Sequence, residues 1–283
     1  MAGRVGAHEM YRNVQATAEG ELERSSVGLA FSGLSAGLNL SFSFVAAALF
    51  QTLSDDPAHA HLWGAVGYPI GFILVITARA QLFTENSLTP VILVLSRPTR
   101  ANIVNTLRLW AVVLAANLAG AFLFSLGMTE LNISRLLDPA TLLDVATAAY
   151  EGTWHGLLVR GVLGGWLIAL IVWVLHAGAG LVGQIVLVWL IAFLIQAAGF
   201  SHSVAGATEV LYLAHTGTIS YLDWFRDFQV PVTLGNLIGG VVFVALVNYG
   251  QAVGAGRDLE RAELRQERED SDRERVTTRR PRE

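Results

Sequence analysis

The chain has 283 residues, of which 53% are hydrophobic and only 15% charged, and its mean hydropathy is +0.50. Soluble domains carry roughly 25% charged residues, so this composition belongs in a bilayer. Nineteen basic residues, all arginine, stand against twenty-three acidic ones for a net charge of -4, which argues against nucleic acid as a partner, and the absence of cysteine excludes disulfides and thiolate metal ligands.

Residues 1–26 are polar, with three arginines and four glutamates, and lack the short apolar core of a cleaved signal peptide. They read as a cytoplasmic arm, either a surface helix or a disordered segment. A six-span membrane domain follows over 27–253. Its first span runs from about Val27 to Leu53 and ends at Asp55, Asp56 and Pro57, with His59 and His61 expected in a short solvated loop. The second enters near Leu62 and leaves at Leu95, and it is interrupted by Leu82-Phe83-Thr84-Glu85-Asn86. The third covers about Ile103 to Leu126, and a polar segment follows with one short amphipathic helix between Pro139 and Tyr150.

Span four runs from about Trp154 to His176. The next turn contains a GxGxxG match that joins two membrane helices rather than a strand and a helix, so it binds no dinucleotide. Span five, about Gln184 to Ala214, is interrupted by Gly199-Phe200-Ser201-His202-Ser203, and span six covers about Val232 to Val253. A tail of alternating charge, 254–283, reads as solvated and cytoplasmic. Arginines concentrate in the arm, the Arg97/Arg100 loop and the tail, which places both termini in the cytoplasm. Three spans per half then make the halves an inverted repeat with one broken helix in each. GxxxG pairs at Gly33/Gly37, Gly67/Gly71, Gly161/Gly165 and Gly235/Gly239 let helix backbones approach closely.

Non-helical backbone at membrane depth is tolerated only where protein buries it or where it lines a cavity. The two interruptions therefore mark a transport site. An intramembrane histidine is a functional candidate by default, so His202 is the first choice, with the Thr84 hydroxyl as its counterpart from the other break. Glu85 and Glu209 sit at or near the breaks, each a candidate selectivity group or an ion-pair partner of Arg79, whereas Arg108 and Arg160 are expected to snorkel to the interface. Enzyme motifs are missing: GFSHS departs from the GxSxG elbow, and there is no HExxH. No cofactor or metal is expected.

The stretches Leu82-Phe83-Thr84-x-Asn86, Gly199-Phe200-x-His202-Ser203-Val204-Ala205 and Val232-Thr233-Leu234-Gly235-Asn236-Leu237-Ile238-Gly239-Gly240 resemble the signatures of the formate/nitrite transporter family. Asn117, Gly161 and Trp166 fit the same pattern, and the likeness covers about residues 25–253. The resemblance implies an all-α, aquaporin-like six-helix protomer in a homopentamer of a bacterial-type inner membrane. Each protomer would pass a small monovalent weak-acid anion or its neutral acid, with His202 and Thr84 at the pore centre. Tyr68, Phe72, Leu82 and Ile195 would line apolar constrictions, and Asn86, Asn117 and Asn236 occupy motif positions. The chain departs from the family pattern where Gly165 and Gly206 replace asparagines, and it has no lysine for the outer vestibule. The expected outer loops carry Asp55, Asp56, Glu130, Asp138, Asp144, Glu151, Asp223 and Asp227 against Arg135 and Arg226, a sign that repels anions. Two alternatives follow: a pore for a neutral or cationic solute with acidic selectivity groups, and a non-conducting membrane scaffold.

Overall fold

Hydroxyl caps and prolines set the helix starts. In the computed structural model, which describes residues 6–130 and 137–257, Ser25 Oγ accepts from Gly28 N at 3.1 Å to open α2 (Ser26–Leu40) behind the arm helix α1 (Ala7–Glu23). Thr153 Oγ1 does the same from Gly156 N. Ser41 bonds back to the Gly37 carbonyl at 2.7 Å, a contact that bends helices, and the first span accordingly divides into α2 and α3 (Phe42–Gln51). Next come α4 (Pro57–Gly67) and α5 (Pro69–Thr77), then a non-helical stretch and a 3-10 turn at Glu85–Ser87, and then α6 (Thr89–Ser96). His59 and His61 therefore lie in a helix rather than in the expected loop, because Pro57 starts a helix instead of merely ending the preceding one.

The unbroken third span is α7 (Arg100–Glu130); α8 (Pro139–Tyr150) is capped by Asp138, and α9 (Trp154–Leu175) precedes the glycine turn. Then come α10 (Leu181–Ala197), the second break and α11 (Ala205–His215). The last span, Tyr221–Arg257, is continuous but underwound locally into π-helix at Trp224–Gln229 and Gly239–Leu246. Among the described residues five helices are long and apolar enough to cross a membrane, with α10 shorter. The charged tail from 258 onward and Arg135 lie outside the described residues.

The two breaks are built alike, residue for residue, at an offset of about 120 positions in the chain, as an internal repeat requires. Ala80 N bonds Val75 O at 3.1 Å, and Phe200 N bonds Ile195 O at 2.9 Å. Arg79 has φ 53° and Gly199 φ 68°, so both chains leave the helix through a left-handed residue. Asn86 N bonds Leu82 O and Gly206 N bonds His202 O as the second half-helix begins. Each break is held by one asparagine from the neighbouring span. Asn117 donates to Gly33 O (2.8 Å) and Gln81 O (2.9 Å) and accepts from Phe83 N (2.9 Å). Asn236 donates to Gly161 O (2.7 Å) and Ser201 O (2.9 Å) and accepts from Ser203 N (2.8 Å). A side-chain amide offers one acceptor and two donors, so each asparagine satisfies two backbone groups that the broken helix leaves open and ties them to a carbonyl of an adjacent helix.

Glycine brings these asparagines into range. A Cβ on Gly37 would collide with the backbone of Asn117, and one on Gly165 with the backbone of Asn236. The asparagine expected by resemblance at position 165 would not fit this approach. Gly206 likewise leaves room for the Phe228 ring, 2.5 Å from where its Cβ would stand.

Candidate functional site

The breaks meet through Thr84 and His202, whose Oγ1 and Nε2 lie 2.8 Å apart; the residues are 0% and 1% exposed. Backbone N–H groups of Val204 and Ala205, opening α11, donate to Nδ1 at 3.3 and 3.1 Å. Nδ1 is thereby an acceptor, so the ring proton sits on Nε2 and is donated to Thr84. The hydroxyl proton of Thr84 is left available to a passing acceptor. By the repeat offset, His202 stands where the first break has Leu82, and Thr84 where the second has Val204. Each half of the chain thus contributes one polar member of the pair.

Apolar groups close around it. Phe72 meets His202 edge-on with ring centroids 5.0 Å apart, and Tyr68 packs on Phe72 at 5.4 Å. Tyr68, Phe72, Leu82 and Ile195 are all essentially buried and belong to one apolar cluster. Asn86 joins the support of the first break: its amide donates to Gln81 Oε1 at 3.0 Å and its carbonyl accepts from Trp110 at 2.8 Å.

Two cavities flank the closure. One, of about 70 Å³, is lined by His61, Tyr68, Arg160, Ser201, His202 and Glu209 among others. The second, of about 400 Å³, is walled by Glu21, Arg24, Arg79, Gln81, Glu85 and His176 among others. Phe72, Leu82 and Thr84 line neither. Glu85 and Glu209 thus fall in different cavities, and Oε1 of each is buried without a hydrogen-bond partner among the described residues. Arg79 forms no ion pair with either glutamate among the described residues, because the left-handed turn leaves its side chain exposed while both acids point inward.

Arg160 corrects another expectation. It does not snorkel; its Nε donates to Gly199 O at the second break and its Nη1 to Glu151 O at 2.7 Å, so it lines the smaller cavity beside Glu209. Arg108 is also held, donating to Leu22 O (2.7 Å) and Arg24 O (3.1 Å) at the end of α1. Sequence reasoning missed Glu21 too. The arm helix buries Tyr11, Val14, Ala18 and Leu22, and this delivers Glu21 to Gln81 Nε2 (3.3 Å) and Thr89 Oγ1 (2.8 Å). The available signal was the i, i+3, i+4 spacing of Tyr11, Val14, Ala18 and Leu22.

A helical bundle interrupted twice, with the interruptions joined by a buried hydroxyl–imidazole pair, defines a polytopic membrane protein of the channel type. The chain belongs to the formate/nitrite transporter family, whose model matches residues 8–250. It is 32% identical over 263 residues to the inner membrane protein YfdC of Escherichia coli (strain K12), covering 93% of this chain and 84% of that one. It is 30% identical over 200 residues to a probable formate transporter of Methanothermobacter thermautotrophicus, covering 65% and 72%. Among solved structures, an FNT family ion channel at 25% identity superposes with a TM-score of 0.67 over 87% of this chain and 96% of the other. A pentameric formate channel with formate bound, 21% identical, shares the fold at a TM-score of 0.67 over 81% and 98%.

Proposed function

We propose that this chain is a homopentameric inner-membrane channel or transporter whose protomers each pass a small monovalent weak acid, as anion or neutral acid, between the two breaks. One observation carries the reading: the Thr84–His202 hydrogen bond, buried among aromatic rings with a cavity on either side. Tyr68, Phe72, Leu82 and Ile195 act as the constriction, which strips water and disfavours a charged solute. The cavity beside His202 opens outward, and the cavity under the arm helix opens to the cytoplasm, where both termini lie. The inner-membrane placement and the formate-like substrate rest on the named relatives, and the pentamer on the solved neighbour.

The test is a proteoliposome flux panel of formate, nitrite, acetate, hydrosulfide and ammonium at two pH values. On this reading formate or nitrite crosses, faster at the lower pH, and His202→Ala loses this pH-dependent flux. Unchanged pH-dependent flux in that variant overturns the role of His202. Removing residues 257–283 leaves flux intact if the chain is a conduit rather than a scaffold.

A further inference from the structure

The cavity beside His202 holds two opposed hydrogen-bonding roles in a space suited to a solute of a few heavy atoms. Glu209 is 3% exposed, and its Oε1 has no hydrogen-bond partner among the described residues. A buried carboxyl left in that state is costly unless a solute meets it. The positive charge it faces is Arg160, whose Nε and Nη1 are committed to Gly199 O and Glu151 O, while Nη2 makes no hydrogen bond among the described residues. The other titratable side chains of the cavity are His61 from α4, Tyr68 before α5, and His202. The remaining packed elements present neutral groups: α8 offers Ala148 and Ala149, the last span Phe228, and no acid or base of α3 or α7 lines the space.

We propose that Glu209 and Arg160 form a selectivity pair that recognises the undissociated form of a small oxyacid. The acid's O–H donates to Glu209 Oε1 while its C=O or N=O accepts from Arg160 Nη2. With Glu209 ionised beside Arg160, a bare anion brings no donor for the carboxylate and an ammonium ion brings no acceptor for the guanidinium, so of these three species only the neutral acid meets both groups. Unpartnered Ser201 Oγ in the same wall is free to follow the solute. The inference deepens the proposed function and rests on it, since it names the permeating species and the groups that choose it.

The experiment compares formate uptake by the wild type, Glu209→Gln and Glu209→Leu in proteoliposomes, with charge movement followed by a potential-sensitive dye. Wild-type uptake should carry no net charge and fall about tenfold per pH unit, tracking the undissociated acid. Glu209→Gln, whose amide can donate to an anion, should flatten that slope below about threefold per unit and carry negative charge inward. Glu209→Leu, able neither to accept nor to donate, should lose about tenfold or more of the flux at every pH while eluting like the wild type. A conducting wild type with both variants unchanged in slope and charge overturns this inference and leaves the proposed function standing. A wild type that passes none of the solutes overturns both.

Discussion

Thr84 shows what one hydroxyl does in a dry site. It receives the only ring proton of His202, because two backbone N–H groups already occupy Nδ1. Thr84→Val keeps the shape and leaves Nε2–H without an acceptor, a loss of about 1–3 kcal/mol for a buried donor. The variant should assemble normally, melt lower and, on the proposed function, pass formate about five- to 150-fold more slowly, as a barrier increase of that order requires. Thermal denaturation in detergent and liposome flux check the two halves of that expectation. Both members of the pair were legible in the sequence, since a histidine and a threonine within two apolar interruptions are out of place unless they face a passage. Arg160 was not legible. An arginine near a span end ordinarily reaches for headgroups, and only the fold brings the carbonyls of Gly199 and Glu151 within its reach.

At the scale of the element, the repeat makes a comparison between its own halves. Both breaks leave their helix through a left-handed residue, and one of these is glycine while the other is Arg79. A side chain costs roughly 1–2 kcal/mol in that conformation. Arg79→Gly should therefore raise stability by about 1 kcal/mol, and Gly199→Ala should lower it by a similar amount, since a Cβ there meets nothing closer than Arg160 Nη2 at 3.9 Å. Melting temperatures of the two variants moving in the same direction would contradict the equivalence of the breaks. The apolar length of each span and the position of each interruption were readable from residue pattern. The asparagine staples were readable only as motif positions, because Asn117 lies 34 residues from the backbone N–H of Phe83 that it accepts from and 84 from the Gly33 carbonyl that it donates to.

For the whole molecule, the arm helix couples the polar N-terminal segment to the membrane domain. Burial raises the Glu21 carboxyl above its ordinary range, against the opposing effects of the hydrogen bonds from Thr89 and Gln81 and of the Arg24 charge. A raised value in the docked state means that docking gains most below the ordinary carboxylate range and weakens as pH rises through the raised value. Protection factors over residues 7–23, which divide out the intrinsic acceleration of amide exchange with pH, should therefore be larger at pH 5 than at pH 8, and Glu21→Gln should remove most of that difference. Protection in the wild type that is insensitive to pH would show that Glu21 does not hold the arm.

The sequence by itself determined the bilayer as solvent, the two interruptions and the residues that stand out in them. These follow from hydropathy and from the cost of open backbone in lipid, both properties of short stretches of chain. Only the tertiary structure decided which carbonyls each asparagine satisfies, that Arg160 faces Glu209, and that Glu85 and Glu209 fall in separate cavities. Those outcomes depend on how closely glycine-lined helices approach one another, a distance set jointly by residues far apart in the chain.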